Sequence, residues 1–294
     1  GAPRPGRHRP GHAPATDAKD RMTGKIVAVD ELARAYRAAG AGAFRRASTL
    51  PTGQHEPISV HEPAIRRSAH GFSVGTTERV VLVCGAAPAV GTSTVALSLA
   101  GAVSGVARVV ECCSASASGL AAASTAELGE VGEGWVRSDR DGLVIERRQD
   151  RVDGPAGLPA PAVGQRTAWT FLDCSWDVDA LLRSDSWLAD QARSAAAVVL
   201  VARATVPGLR RLDSALGLVG EQRMVAVLVG TGRRWPRPLQ QSASAAVRQL
   251  RARDRLVCVP FDAQLALSGL TPDPLPSAVR AAGVSVLNQV EGLL

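Results

Sequence analysis

Residues 80–103 read VVLVCGAAPAVGTSTVALSLAGAV, and this stretch decides the fold. Residues 80–84 form a short apolar, β-branched run, which is typical of a strand buried on both faces. Small residues follow from 85 to 91, and residues 92 to about 103 are predicted to form a helix because apolar side chains such as Val95 and Leu99 recur along it. A strand, a small-residue loop and a helix in this order predict a phosphate loop, because backbone N–H groups at a helix N-terminus favour an anion.

The loop departs from the phosphate-binding consensus GxxxxGK[ST] at its basic residue. When Gly91 is taken as the second glycine, the first glycine is replaced by Ala86 or displaced to Gly85. Thr92 stands at the lysine position, and Ser93 keeps the hydroxyl that binds Mg²⁺ in working loops. Loss of such a lysine removes a charge-assisted contact with phosphate worth about 1.5–3 kcal/mol.

Six further apolar runs follow the first predicted strand at intervals that leave room for helices. They are residues 107–111, 142–147, 167–173, 197–201, 224–230 and 255–260, with helices predicted near 208–219, 242–251 and 276–293. Residues 114–140 are rich in Ala, Ser and Gly and predict no defined element. Strands that alternate with helices predict an α/β fold with a doubly wound, mostly parallel sheet of about seven strands.

The order of these motifs resembles the ParA/MinD ATPases, a family of P-loop proteins whose loop reads KGGVGKTT. Three positions match that loop: Val90, Gly91 and Thr94. Four positions depart from it, namely Ala87 at the signature lysine, Pro88 and Ala89 at two glycines, and Thr92 at the second lysine. Pro88 also removes one N–H group from the loop. The resemblance therefore implies a degenerate Walker A loop.

Acidic positions of the family are also recognisable. Residues 109–113 (VVECC) resemble the family's second strand, which ends D-x-D; Glu111 takes the first acidic place, and Cys113 takes the second, where the family has its catalytic carboxylate. Residues 171–174 (FLDC) resemble the Walker B strand, with Asp173 as its acid. The segment 258–270 (CVPFDAQLALSGL) resembles the late VPxD segment. The resemblance covers residues 79–294 and, through the lysine-poor loop, extends to septum-site-determining and TadZ/CpaE-like localisation proteins.

Charge and histidine are concentrated before residue 71. The chain has a formal net charge of +7, of which residues 1–70 carry +6. All five histidines and both lysines (His8, His12, His55, His61, His70, Lys19 and Lys25) lie there as well. The rest of the chain therefore cannot contain a Ser-His-Asp triad, a Cys-His dyad or a His-ligated metal site. Residues 1–75 are predicted to be a disordered basic tail and linker, with one short helix near 30–48, and residues 76–294 to be the P-loop domain.

Three other features each have two interpretations. The cysteines Cys84, Cys112, Cys113 and Cys174 follow strand ends, where they form either a redox or soft-metal cluster or ordinary apolar packing. Trp235 either stacks on an adenine base or lies at a surface. The helix near 276–293 has an apolar stripe, which either packs against the sheet or binds a membrane. Packing is favoured, because helices that bind membranes carry several basic residues and Arg280 is the only one in this segment.

The sequence favours a cytoplasmic localisation or scaffolding factor in partition, septum placement, or pilus or conjugation machinery. It would act through partner proteins, with a homodimer as an open alternative, and with weak or absent ATP hydrolysis, so no catalytic residue is assigned. The candidate nucleotide-binding residues are vestigial ones: Gly85, Val90, Gly91, Thr92, Ser93, Thr94, Glu111 and Asp173. No resident metal or cofactor is expected, except ATP with Mg²⁺ held by Ser93 and Asp173 if nucleotide binds.

Two alternatives stay open beside this interpretation. The first is a nucleotide-switching ATPase with a rewired loop, in which an arginine such as Arg203 or Arg233 supplies the missing charge. The second is a DNA-associated partition factor, in which the basic residues 1–70 contact nucleic acid or an anionic membrane through counterion release. No apolar run of 18 or more residues is present, so no transmembrane helix is expected.

Overall fold

A computed structural model of the chain describes Gly1, the backbone of Ile65–Arg67, and residues 71–114, 117–164 and 167–294. Contacts within the chain separate two units, Gly1–Val60 and His61–Leu294. The predicted disordered tail and the helix near 30–48 lie outside the described residues. The fold given below is that of the second unit.

A nine-stranded sheet forms the centre of this unit, in the order β11-β10-β9-β3-β8-β4-β7-β6-β5. Every neighbouring pair is parallel except the two pairs that involve β6. The strands are β3 (Arg79–Gly85), β4 (Ala107–Glu111), β5 (Ala126–Gly132), β6 (Trp135–Arg140), β7 (Leu143–Arg148), β8 (Trp169–Cys174), β9 (Val198–Arg203), β10 (Met224–Val229) and β11 (Leu256–Val259). A separate antiparallel pair precedes them, β1 (Ile65–Arg67) and β2 (Ser73–Gly75).

Helices cover both faces of the sheet, as a doubly wound fold requires. One core contains buried residues of α1 (Thr92–Ala100), α2 (Leu120–Ala123) and α9 (Ser277–Glu291). The opposite core contains those of α3 (Val178–Arg183), α4 (Trp187–Ser194), α5 (Val206–Val219), α6 (Arg237–Ser242) and α7 (Ala245–Ala252). A further short helix, α8 (Ala263–Ser268), has no buried residue. The predicted fold class is therefore confirmed.

All seven predicted strands are present, but the sheet has nine. The prediction missed the hairpin of β5 and β6, which lies in the segment 114–140. Strand β5 is the edge of the sheet, and all its residues but Val131 are exposed, so its sequence AELGEVG lacks the alternation that reveals a half-buried strand. Strand β6 is mostly buried, but the polar residues Arg137, Ser138 and Asp139 hide its pattern.

The segment 49–75, predicted to be a linker, contains strands β1 and β2. Phe72 lies in the core and stacks on Trp187 with 4.7 Å between the ring centroids. Val74 is buried in the same core. The packing of Phe72 was not predicted, because a single aromatic side chain in a segment with three prolines produces no periodic pattern. The boundary between tail and domain at residues 75 and 76 itself stays a prediction.

The C-terminal helix α9 packs its apolar stripe inward, against α1 and the sheet. Val279, Val286 and Val290 are buried, whereas Val284 is 48% exposed. The Ser98 hydroxyl of α1 donates a 2.7 Å hydrogen bond to the carbonyl of Val279. The packing interpretation of this helix is thus the one that the structure supports. Among the described residues, no helix combines the length and apolarity needed to cross a bilayer.

Candidate phosphate-loop site

The loop between β3 and α1 presents backbone donors without internal acceptors. Ala89 and Gly91 have positive φ angles of 56° and 98°, which turn successive N–H groups toward one side. Gly91 begins α1 without a side-chain cap, in contrast to the Thr205 cap of α5 and the Asp262 cap of α8. Within the described part of the chain, the backbone N–H groups of residues 87 and 89–94 donate to no protein acceptor. This end of α1 can therefore accept an anion.

Thr92, which the sequence resemblance aligns with a lysine, has a short side chain that packs inside the loop. A Cβ atom on Gly85 would lie 2.7 Å from the Thr92 hydroxyl oxygen and 2.9 Å from the carbonyl oxygen of Ala87. Thr92 is buried, so its short side chain folds against the end of β3. Gly85 is therefore required by close packing, and the position that would carry a flexible cation carries a buried hydroxyl.

The other loop side chains also lack charge. Ala87 is half-buried at the signature-lysine position, and Pro88 and Ala89 are exposed. Val90 is buried in the core below the loop, so its side chain anchors the loop and does not face a ligand. Ser93 and Thr94 are half-buried on the first turn of α1. The sequence-predicted loop residues are thus brought together, but any ligand contact from Val90 is limited to its backbone.

Asp173 and Glu111 meet beside this loop. They are Cα partners on the parallel strands β8 and β4, and both are buried. Among the described residues, neither carboxylate oxygen of Asp173 has a hydrogen-bond partner. Burial raises the pKa of Asp173 to about 7; the Ser93 hydroxyl opposes this shift without forming a hydrogen bond of normal geometry, and the Glu111 carboxylate adds to it. A buried carboxylate of this kind needs a proton or a cation.

Glu111 is better satisfied than Asp173. The backbone N–H of Arg148 donates a 3.2 Å hydrogen bond to its carboxylate. Burial raises the pKa of Glu111, while Ser118, the Arg148 N–H group and the Arg147 guanidinium oppose this shift. The two carboxylates therefore have different surroundings, with Asp173 the one left without a partner.

Cys113, which the sequence resemblance aligns with the family's catalytic carboxylate, is a neutral thiol. It is 1% exposed, and burial raises its pKa far above the ordinary range, with Asp173 and Glu111 adding to the shift. Burial likewise raises the pKa of the Cys112 thiol. A neutral buried thiol cannot act as a general base or orient a water molecule as a carboxylate does.

The apolar interpretation of the other cysteines fits the structure. Cys84, Cys112 and Cys174 belong to the core on the side of the sheet that faces α3 to α7. All five cysteines of the chain are free, including Cys258 on β11. Within the described ranges, no group of three or more His, Cys, Asp or Glu side chains is arranged to hold a metal ion. The cysteine positions thus pack as small apolar residues.

A cavity of about 420 Å³ opens beside the loop and connects it to the ends of β9, β10 and β11. Ala89, Gly91 and Thr94 line one side, and Arg203 lies at the same opening. Its remaining walls are mostly apolar: Val95, Val229, Val259, Pro260, Phe261, Leu265, Ala266 and Val279, with Asp262. Sequence reasoning assigned no role to Val229 or Phe261, although the resemblance of the segment 258–270 to the VPxD segment was a signal.

Trp235 does not line this cavity. It is 5% exposed and lies in the core on the opposite face of the sheet, where its indole N–H donates to the Cys258 sulfur at 3.3 Å. The guanidinium of Arg251 covers its ring at 4.6 Å from the centroid. Both interpretations of Trp235 from the sequence are therefore wrong: the side chain neither lines this cavity nor lies at a surface. Arg233, the other arginine considered as a substitute cation, does not line the cavity either.

The site fits part of a nucleotide with Mg²⁺. The unpartnered carboxylate of Asp173 and the adjacent Ser93 hydroxyl are oxygen ligands suited to Mg²⁺, and the open N–H groups suit phosphate oxygens. The lysine positions and the Cys113 position do not fit, because they supply neither charge nor a base. These residues could hold a metal–phosphate group, which would supply electrostatic stabilisation, but they do not complete the machinery of phosphoryl transfer.

The strand order and the loop between β3 and α1 define a P-loop α/β protein. No family model matches the chain, and no curated protein matches it. Among solved structures, MinD of Aquifex aeolicus is similar at 12% identity and a TM-score of 0.46, over 73% of this chain and 97% of that one. A ParA family ATPase of Chlorobium tepidum is similar at 12% identity and a TM-score of 0.41, over 73% and 98%. Apo McdA of Cyanthece is similar at 9% identity and a TM-score of 0.45, over 73% and 100%.

These likenesses agree with the resemblance to ParA/MinD ATPases seen in the sequence, and they concern the fold alone. At such identities and TM-scores they carry no argument about activity, ligand or partner. The function is therefore inferred from the loop, the carboxylates and the thiol described above.

Proposed function

We propose that this chain is a degenerate ParA/MinD-like protein that acts as a localisation or scaffolding factor and does not hydrolyse ATP at a useful rate. The observation that carries the proposal is Cys113, a buried neutral thiol at the place of the catalytic carboxylate. Its free cysteines are in keeping with a reducing cytoplasm. Its work would be done by binding partner proteins in partition, septum placement, or pilus or conjugation machinery, as a monomer or a homodimer.

The absence of loop cations supports the same proposal. Stabilisation of the charge that develops on the transferred phosphoryl group carries most of the catalysis in P-loop enzymes. Here Ala87 and Thr92 stand at the two lysine positions, and the Thr92 side chain is buried. A site that lacks both the cations and the carboxylate is expected to lack ATP hydrolysis, although the domain keeps its fold.

Phosphate release by the full chain with ATP and Mg²⁺ tests this proposal. We expect a rate that does not exceed that of the Asp173→Ala variant, because any residual rate should be independent of this site. A rate that is well above background and is abolished by both Ser93→Ala and Asp173→Ala would establish an active ATPase and overturn the proposal.

A DNA-associated role is a second candidate, and the charge of residues 1–70 favours it. These residues carry nearly all of the net charge of the chain. Retention on duplex DNA should fall steeply as salt is raised and should vanish when residues 1–70 are deleted. Equal retention of the truncated chain, or none by the full chain, would remove this candidate.

A further inference from the structure

We propose that a cavity at the amino ends of strands β4 and β7 binds an aliphatic carboxylate, and that the buried Arg140 pairs with its charge. This α1–α9 cavity has a volume of about 690 Å³. It is lined by residues of the segments 97–107, at the end of α1, 140–143, between β6 and β7, and 274–284, at the start of α9. The inference goes beyond the proposed function, because a scaffolding role needs no small ligand.

The α1–α9 cavity and the phosphate loop lie at opposite ends of the strands. Ala107 and Leu143, which line the cavity, are the first residues of β4 and β7, whereas the loop follows the last residue of β3. Strands β7, β4, β8 and β3 are neighbours that all run parallel, so their first and last residues lie far apart. The residues that line this cavity and the cavity beside the loop are different throughout. A ligand here would therefore not overlap a nucleotide at the loop.

Arg140 gives the α1–α9 cavity a positive charge at a fixed place. It ends β6 and pairs with Leu143 of β7 across the two-residue turn Asp141-Gly142. The φ angles of Asp141 and Gly142 are 54° and 84°, and two positive values in succession are typical of a type I′ turn, the tight connection that suits the twist of a hairpin. This turn sets the position of the Arg140 backbone, and Arg140 lines the cavity.

The guanidinium of Arg140 is buried but lacks a counterion. Its Nη1 group donates to the carbonyl oxygens of Ala123 and Thr271 at 2.7 Å and 2.6 Å, and its Nη2 group donates to that of Asp273. Since arginine has five N–H donors, two are left without an acceptor among the described residues. The carboxylates of Asp141 and Asp273 act on Arg140 only from a distance, and both residues are exposed. A buried cation in this state costs free energy, and an anion at the two open donors would stabilise it.

Arg280 places a second positive charge at the same cavity. It lies on α9, is exposed, and its guanidinium makes no hydrogen bond or ion pair with the described residues. The lining residues include one carboxylate, the exposed Asp141, so their charges sum to +1. This sum matches a ligand with one negative charge. A planar carboxylate presents two oxygens to the two open N–H groups of Arg140, whereas a phosphate group would need more donors.

The other walls of the cavity suit an aliphatic body. Leu97, Val103, Leu275 and Val284 contribute branched apolar side chains, and no aromatic ring is present among the described residues that line the cavity. Val284 is 48% exposed, and a ligand would remove part of this surface from water. The volume of about 690 Å³ lies in the range of about 300–1,000 Å³ that small-molecule sites occupy. The walls therefore favour a carboxylate with an alkyl chain over a small ion such as acetate.

Titration calorimetry of the full chain with decanoate, below the concentration at which it forms micelles, tests the proposal. We expect one saturable site in the wild type. Arg140→Lys keeps the charge but not the planar pair of donors, so it should weaken binding by about tenfold. Arg280→Met removes an exposed charge and should weaken binding by about twofold to fivefold. Arg210→Met removes an exposed charge from α5, outside the cavity, and should bind as the wild type does.

A second pair of variants keeps the proposal testable if Arg140→Lys does not fold. Ala281→Phe introduces a ring into the cavity from an exposed position on α9 and should abolish decanoate binding. Ala278→Phe is the matched control, because Ala278 is exposed on the same helix but does not line the cavity. It should bind as the wild type does. Thermal unfolding of each unliganded variant shows which of them are folded.

Several outcomes would overturn the proposal. They are no saturable binding by the wild type, equal binding by Ala281→Phe and Ala278→Phe, or a loss with Arg210→Met that matches the loss with a folded Arg140→Lys. Decanol and acetate should both bind more weakly than decanoate. Equal affinity for decanol would overturn the pairing with Arg140, equal affinity for acetate would overturn the aliphatic body, and tighter binding of decyl phosphate would overturn the choice of a carboxylate. Phosphate release from ATP is measured separately and tests the proposed function alone.

Discussion

Glu111 and Asp173 are direct Cα partners on adjacent parallel strands, and both carboxyl groups are buried beside the first turn of α1. The backbone N–H of Arg148 donates to Glu111, whereas Asp173 has no hydrogen-bond partner among the described residues. Two neighbouring carboxyl groups without a cation between them cannot both ionise at low cost. The site of the unliganded protein should therefore hold a proton at neutral pH.

The stability of the protein should depend on this proton. The folded-state pKa of Asp173 is about 7, above the unfolded value of about 3.9, so the folded state binds a proton that the unfolded state has already lost. Its contribution to the free energy of unfolding is complete below the unfolded pKa and is lost as pH rises through about 7. The free energy of unfolding in urea should fall from pH 5.5 to pH 8, by at most about 1.4 kcal/mol per pH unit from this group.

Asp173→Asn should reduce this pH dependence, because an amide does not titrate. Glu111, whose pKa burial also raises, would leave a smaller dependence in the same direction. Asp213→Asn, at an exposed position on α5, is the matched control and should keep the wild-type dependence. If Asp173→Asn and the wild type lose the same stability between pH 5.5 and pH 8, Asp173 does not hold the proton.

A carboxylate at residue 113, where the sequence resemblance places one in the ParA/MinD family, should destabilise the unliganded protein. Cys113→Asp would place a third carboxyl group in a buried site that already contains Asp173 and Glu111. The free energy of unfolding at pH 8 should fall by about 2–4 kcal/mol, since an unpaired charge must be buried or protonated. Cys113→Ser keeps the size and neutrality of the side chain and is the control. A loss for Cys113→Asp no larger than that for Cys113→Ser would contradict the electrostatic argument.

The sequence predicted the parts of this fold that depend on short-range pattern. Strands such as Val198–Arg203 and Met224–Val229 are buried apolar runs, and their burial leaves a direct mark on composition. Strand Ala126–Gly132 leaves no such mark, because an exposed edge strand has no buried face to impose alternation. Trp135 was likewise missed, although it is 2% exposed, because the charged residues Arg137, Asp139 and Arg140 of the same short strand hide its apolar character.

Part of the candidate site could likewise be predicted from the sequence, and part of it required the structure. The adjacency of Glu111 and Asp173 could be expected, because both end strands of a parallel sheet whose carboxyl ends converge. The burial of the Thr92 side chain over Gly85 could not, since it depends on a loop conformation that no periodic pattern encodes. The choice between Arg203 and Arg233 also required the structure, because both follow apolar strands and only the course of the chain after each strand decides which one reaches the cavity.

Close contact between α9 and α1 should make Gly283 intolerant of a side chain. A Cβ atom there would lie 2.2 Å from the Ser98 hydroxyl oxygen and 2.4 Å from the Ser98 carbonyl oxygen. Gly283→Ala should lower the free energy of unfolding by about 1–3 kcal/mol, because the helices must separate to admit the methyl group. Urea denaturation measures the change.

Gly217→Ala provides the control for the intrinsic preference of a helix for alanine. Gly217 lies in α5 with nothing within 4 Å of an added Cβ atom. This substitution should stabilise the protein by about 0.5–1 kcal/mol. Opposite signs at the two positions are expected, and a stabilising Gly283→Ala would show that the two helices are not in close contact.

Arg108 should contribute to stability far more than an ordinary surface arginine. It is fully buried, with its guanidinium 3.1 Å from the carboxylates of both Glu78 and Glu146, and it donates a 2.7 Å hydrogen bond to the Thr170 hydroxyl. Arg108→Met keeps much of the side-chain volume but leaves two buried carboxylates without this cation. The free energy of unfolding should fall by about 3–5 kcal/mol.

Arg151→Met is the control, because Arg151 also pairs with a carboxylate, that of Asp153 at 3.0 Å, but both side chains are more than four-fifths exposed, at 87% and 86%. Exposed ion pairs contribute about 0–1 kcal/mol, so this variant should unfold almost as the wild type does. Lowering the pH toward 4 should reduce the difference in the free energy of unfolding between Arg108→Met and the wild type, because protonation of the two carboxylates removes the unpaired charge. If Arg108→Met and Arg151→Met lose the same free energy of unfolding at pH 7, burial does not determine how much the Arg108 ion pairs contribute to stability.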